Sequence, residues 1–243
     1  MDTVNMRVRQ NVPGVNILAV RGYPRPVSTA PYHHGNLRAV LVEAAIGLAR
    51  DQGPDGLVLR EVARRVGVSH NAAYRHFADR DELIEEVARY GLDELVRACE
   101  ARLGTVATTE PVRRARRRLA ELGRGYVDFA LAEPGLFRVV FVAFPAVPGH
   151  DEDATPDPLQ MLCDCLDDLV EVGWLAAERR PDAEISCWSA VHGFAVLHVE
   201  GPLRGSDPAA RDAALTHLVT AVDRGYGATT RQVVDMDDLV NDR

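Results

Sequence analysis

The chain has 243 residues, enough for one large domain or two small ones and for a core that needs no disulfide or metal staple. An apolar fraction of 47% and a charged fraction of 26% exclude collagen-like, wholly disordered and disulfide-scaffold classes. The 28 basic residues, all arginine, face 36 acidic ones, but unevenly: 11 against 6 through Arg80 and 17 against 30 beyond it. A basic first third on an acidic remainder suggests a local anion-binding face, not a basic coat over the whole chain. No run nears eighteen consecutive apolar residues and no apolar segment follows the N-terminal charges, so neither a membrane span nor a secretory leader is expected. Cys99, Cys163, Cys165 and Cys187 lack framework spacing and read as reduced thiols of a cytoplasmic protein. A metal site at Cys163 and Cys165 is the weaker reading beside buried small hydrophobes, so no metal and no cofactor are expected.

Residues 1–31 hold four prolines and four arginines without a hydrophobic period, which predicts a disordered arm. From Asn36 the positions Leu37, Val40, Leu41, Ala44, Ala45 and Leu48 form one face of an amphipathic helix, stopped by Gly53-Pro54. A short helix over 59–66 turns Leu59, Val62, Ala63 and Val66 inward. Gly67-Val68-Ser69 is a tight turn, and Ser69 caps a third helix from His70 to Phe77. Asp79 caps a long fourth helix, with Glu82 completing a capping-box pattern and Leu83, Ile84, Val87, Tyr90 and Leu95 as its buried stripe. Further helices are predicted from Pro111 to about Ala132, after a break at Glu133-Pro134-Gly135 from Leu136 to Phe144, and at about 158–178, 182–200 and 208–226. Proline at the starts of the 158 and 208 helices follows an aspartate cap. Residues 145–157 read as a mobile loop. The fold class is all-α, about nine helices, with no convincing strand.

Three short helices with a glycine-bearing turn between the second and third make a helix-turn-helix. Ala63 leaves room for a close crossing, Gly67 can take the positive φ of the turn, and Val68 fills the angle. The third helix is then held outward, its first residues free to enter a major groove.

The run YHHGNLR…LREVARRVGVSHNAAYRHFADRDEL, residues 32–83, resembles the DNA-binding domain of the TetR family of transcriptional regulators. Trp188, His192 and Gly193 resemble the subgroup whose effector domain carries a Trp-x-x-x-His-Gly motif. The resemblance implies that Arg60 reads a base, as an arginine can on guanine O6 and N7. It also implies that His70, Asn71 and Ala72 read base edges, that Tyr74 and His76 touch phosphate, and that Arg80 holds a phosphate at the start of the fourth helix. With Ser69 and Arg75 these make the expected DNA-binding set. His33 and His34 match the family's lead-in segment. Val58 stands where the family often has a capping Ser or Thr, which removes at most about 1 kcal/mol of local helix stability. Phe77 is the core aromatic of the unit.

The expected domains are an arm over 1–31, a helix-turn-helix domain over 32–82, a helical ligand-binding and dimerisation domain over 83–228, and an acidic flexible tail over 229–243. Arg113, Arg114, Arg116, Arg117 and Arg118 invite a second DNA patch. A fourth helix rising roughly 30 Å from the DNA makes a solvated or acid-paired face the better reading. Phe129, Phe137, Phe141, Trp174, Trp188 and His192 are the candidate ligand-binding residues, with Phe144, Met161 and Leu162 as further large side chains. Trp188 and His192, at i and i+4, either orient a ligand or form a buried structural pair. Gly193 within a helix suggests the close approach of another helix. The resemblance implies that the last two helices pair with their copies in a homodimer, with Gly193, Val196, Leu215, Leu218 and Val222 at the interface.

The expected function is a dimeric, sequence-specific DNA-binding regulator. By the family's default it is a repressor, released from a pseudo-palindromic double-stranded operator by a small, largely apolar effector. No GxSxG, HExxH, P-loop or GxGxxG motif is present, so no catalysis is expected. The alternatives are a thiol-based redox-sensing DNA-binding regulator using Cys163 and Cys165, and a constitutive architectural dimer without an effector cavity.

Overall fold

The computed structural model describes residues 37–143 and 157–227. The predicted arm, His33 and His34, Asn36, Phe144, most of the 145–157 loop and the tail from 229 lie outside them. Nine α-helices and two 3-10 turns account for the regular structure, and there is no strand among the described residues. The helices are α1 (Leu37–Gln52), α2 (Leu59–Val66), α3 (His70–Ala73), α4 (Arg80–Leu103), α5 (Pro111–Ala132), α6 (Pro134–Ala143), α7 (Pro158–Glu171), α8 (Arg180–Val199) and α9 (Pro208–Gly227).

The fold divides into two compact units. One takes the described residues through Leu92 and those of Gly135–Gln160; the other takes Asp93–Pro134 and those from Met161 onward. α4 contributes residues to both.

In the first unit α1 buries Leu41, Ala45, Leu48 and Ala49, while Val40 of the predicted face is exposed. Phe77, Leu83 and Val87 are fully buried with them, whereas Tyr90 is only half-buried. Arg38 lies over the Phe77 ring at 4.7 Å and pairs with Glu82 at 3.2 Å and with Glu86. That ion pair and the cation–π contact tie α1 to the start of α4. Two glycines let α6 close on this unit. A β-carbon at Gly135 would stand 2.0 Å from the Ala49 carbonyl oxygen, and one at Gly91 would stand 2.8 Å from Val140 Cγ2.

The second unit is built around α5, which buries Leu122, Tyr126, Val127, Phe129 and Ala130. A β-carbon at Gly125 would lie 2.7 Å from Cys99 Cα, and one at Gly123 would lie 3.1 Å from Val191 Cγ1. At Gly193 an added β-carbon meets nothing of the chain itself within 4 Å. Arg116 fastens α9 with a fork to both oxygens of Asp223, at 2.6 to 3.2 Å, and stacks 3.9 Å over Trp174.

Three helix limits differ from those predicted. α3 stops at Ala73 because the chain tightens into a turn, with His76 N–H donating to Ala73 O, and must leave the helix before Asp79 can cap α4. α6 already begins at Pro134, a residue that suits a first helical position, so Glu133 alone makes the break. α7 ends at Glu171 because Gly173, at φ 71°, reverses the chain and Trp174 N–H donates back to Leu169 O.

Candidate functional site

Leu59, Val62 and Ala63 seat α2 on the core, and the chain then turns at Gly67, whose φ of 78° is left-handed. Val68 N–H donates to Ala63 O at 3.0 Å, which sets the angle at which the chain leaves α2. Ser69 Oγ accepts from Ala72 N–H at 3.2 Å and so caps α3. With a single helical turn to hold, that cap is a large share of the local structure. Ser69→Ala is expected to cost about 1 kcal/mol in a denaturant titration.

Ala73 and Phe77 are fully buried and pin the short helix from below. Ser69, His70, Asn71, Tyr74 and Arg75 are exposed, as is Arg60 in the first turn of α2, while Ala72 and His76 are half-buried. The Tyr74 ring is 47% exposed and meets His70 edge-on at 4.9 Å, so its hydroxyl is available to an outside partner. Behind Arg60, Arg64 pairs with Glu61 at 2.6 Å and Arg65 with Asp51 at 3.5 Å. Val58 precedes α2 without a side-chain cap.

Arg80 has a role within the chain that the sequence did not suggest. Its Nε donates to Leu57 O at 2.9 Å and its Nη2 to Pro54 O at 2.6 Å, so the guanidinium clamps the 3-10 turn between α1 and α2. The box at α4 is also modified: Asp79 accepts from Glu82 N–H at 2.9 Å, but Glu82 reaches back to Ala78 N–H at 2.7 Å.

The residues expected around a ligand are divided between the two units. Phe137 and Phe141 belong to the first unit, their rings 4.9 Å apart. Phe129 is core in the second unit. Trp174 is held by Arg116 and by a hydrogen bond to Asp223 O at 3.3 Å. Trp188 and His192 do meet, with rings 6.2 Å apart, and they share Tyr126, which sequence reasoning missed. Tyr126 is buried, its hydroxyl lies 2.8 Å from His192 Nδ1, and the Trp188 indole also hydrogen-bonds it. The one available signal was that a tyrosine in an apolar stretch of helix needs a polar partner.

An indole N–H only donates, so the Tyr126 oxygen accepts from Trp188, while the roles of Tyr126 and His192 Nδ1 in their shared hydrogen bond follow the imidazole tautomer. Burial holds the His192 pKa below the usual 6.5 and so favours the neutral ring. Burial also pushes the Tyr126 phenol above its ordinary value. The unfolded chain therefore takes up a proton at His192 before the folded one does. Its contribution to stability is fully present above pH 6.5 and declines as pH falls below that value. His192→Gln is expected to flatten the dependence of the denaturation midpoint on pH in that acidic range.

On α8, Ile185, Ser189, Gly193 and Leu197 recur at four-residue spacing, and Ile185 and Leu197 are 55% and 43% exposed. Ala209, Ala210, Ala213, Ala214 and Ala221 are exposed on α9, while Val196, Leu218 and Val222 are half-buried. Leu215 departs from its expected place at an interface: it is 5% exposed, within the core of its own unit.

The thiols are poorly suited to sensing. Cys163 and Cys165 are two apart on α7 and so point to different faces. Burial, with Glu184 adding to it at Cys163, pushes both up to about 12, which leaves little thiolate. In the arginine run of α5, Arg116 and Arg118 are acid-paired, Arg118 with Asp168 at 2.9 Å.

Two family models match the chain: "Bacterial regulatory proteins, tetR family" over residues 41–87 and "Tetracyclin repressor-like, C-terminal domain" over residues 119–222. The first spans α2, the turn and α3; together the two cover more than half of the chain. The HTH-type transcriptional regulator YobS of Bacillus subtilis (strain 168) is 24% identical over 163 residues, 67% of this chain and 79% of its own length. A solved structure from Rhodococcus sp. RHA1 is similar at 29% identity and a TM-score of 0.63, covering 82% of this chain and 99% of its own. TetR from Acinetobacter baumannii AYE, at 18% identity and a TM-score of 0.55, covers 77% of this chain and 97% of its own and shares the fold. With a helix-turn-helix at α2–α3 and matches to the family on both sides of α4, the chain belongs to the TetR family of transcriptional regulators.

Proposed function

We propose that the protein is a homodimeric repressor that binds a pseudo-palindromic operator and leaves it when a small, largely apolar effector binds, and that it catalyses no reaction. The observation that carries this reading is the exposed set Arg60, Ser69, His70, Asn71, Tyr74 and Arg75 around a capped α3 whose other face is pinned by Ala73 and Phe77. Ala72 and His76 at its edge and Arg80 at the head of α4 complete the DNA-binding set. A two-fold dimer would present two such helices to half-sites one or more helical turns apart. The exposed apolar face of α8 around Gly193, with the alanines of α9, Val196, Leu218 and Val222, supports a dimer through these helices. The protein divides functionally into a DNA-binding domain over 32–82 and a ligand-binding and dimerisation domain over 83–228. In the latter Trp188, His192 and Gly193 support the Trp-x-x-x-His-Gly subgroup. Effector binding favours a spacing of the two reading helices that misfits successive major grooves, with α4 as the link because it is one uninterrupted helix.

The test is an electrophoretic shift with the DNA upstream of its own gene, followed by a screen of small apolar compounds for release. A retarded complex that a compound dissolves supports the reading. No complex with that DNA, or a complex that oxidant alone releases, contradicts it.

A further inference from the structure

At the start of α5 the arginine run divides into two kinds. Arg116 and Arg118 are spent on Asp223 and Asp168. Arg113 and Arg117, four residues apart and therefore neighbours on the helix, have no acidic partner within 4.0 Å among the described residues, in a chain with 36 acidic residues. Both line a cleft of about 250 Å³ closed on its other side by the loop Thr105–Thr108. The only carboxylate on its wall, Glu121, is already shared by Arg102 at 3.7 Å and Arg124 at 3.6 Å. Thr105 Oγ1 donates its proton to Arg102 O at 2.7 Å, and Thr108 brings a second hydroxyl to the wall. Among the described residues the Ala107 and Thr108 amides donate no backbone hydrogen bond. The α5 terminus itself is not the attraction, since Glu110 already accepts from Val112 N–H and Arg113 N–H.

We propose that this cleft between the α4–α5 loop and the first turns of α5 binds a compact dianionic oxyanion, a phosphate group being the best fit. Two guanidinium groups give charge-assisted, geometrically matched hydrogen bonds to the tetrahedral oxygens, and the Thr108 hydroxyl and loop amides supply neutral donors. The volume accommodates a diphosphate or a small phosphate ester. Such a ligand differs in chemistry from the apolar effector proposed above, and its binding does not depend on that reading.

The test is calorimetric titration of the full-length protein with inorganic pyrophosphate, with orthophosphate and with citrate, at constant ionic strength set by chloride. Saturable one-site binding of pyrophosphate is expected, with weaker orthophosphate binding. In R113Q and R117Q the affinity is expected to fall at least tenfold each. R114Q removes the same charge from an exposed position that does not line the cleft and is expected to change affinity less than twofold. All three positions are exposed, so the variants should keep the parent's circular dichroism and melting midpoint. Binding that citrate matches would make the site a general polyanion site and overturn the preference for phosphate. Absence of saturable binding, or an R114Q loss equal to that of R113Q, would overturn the site itself.

Discussion

Arg60→Ala and Asn71→Ala are each expected to weaken binding to a selected operator by about 1–3 kcal/mol and to relax base preference at one position per half-site. Both side chains are exposed, so the loss falls on binding and the fold is left intact. An arginine reads guanine through two parallel hydrogen bonds in the major groove, and an asparagine reads adenine in the same way. Removing either leaves the phosphate contacts in place. Affinity for random DNA and the slope of affinity with salt should therefore change little. Gel-shift titrations on operator and random duplexes separate the two effects. Equal losses on both would show that these residues hold the backbone and do not read sequence.

Gly135→Ala is expected to destabilise the protein by about 3 kcal/mol, at the upper end of what overpacking costs. The added carbon would stand 2.0 Å from Ala49 O and 2.8 Å from Arg50 O, both backbone atoms at the end of α1, which cannot rotate away as a side chain would. Gly125→Ala meets the Cys99 backbone at 2.7 Å and should behave alike in the second unit. Thermal melting followed by circular dichroism checks both. An unchanged midpoint for Gly135→Ala would mean that α6 does not lie against α1 as described.

What local sequence encodes is what could be read. The cap at Ser69, the left-handed Gly67, the buried Phe77 and the start of α5 at Pro111 each depend on residues within a few positions of one another, and each lies where the pattern put it. The misses depend on partners far along the chain. Tyr126 meets His192 66 residues away, and no period in α5 announces it. The clamp of Arg80 on the carbonyls of Pro54 and Leu57 was not legible because those acceptors are presented by a 3-10 turn that the sequence showed only as a helix stop. Gly193 attracted the inference of a close approach because a helical glycine invites one; within the chain an added β-carbon there meets nothing within 4 Å, and Gly123 and Gly125 carry the close contacts. Leu215 fits an apolar stripe equally well facing inward or toward a partner, and only its burial decides between them.

The proposed repressor reads its operator by presenting the exposed side chains of α2 and α3 to the major groove. Dimethyl sulfate footprinting tests it directly, because methylation of guanine N7 reports on the major groove and methylation of adenine N3 on the minor. On a duplex selected by the full-length protein, guanine N7 should be protected in two symmetric half-sites, and Arg60→Ala should lose protection at one guanine in each. Protection confined to adenine N3, or an unchanged guanine pattern in the variant, would show that α2 and α3 do not read the major groove.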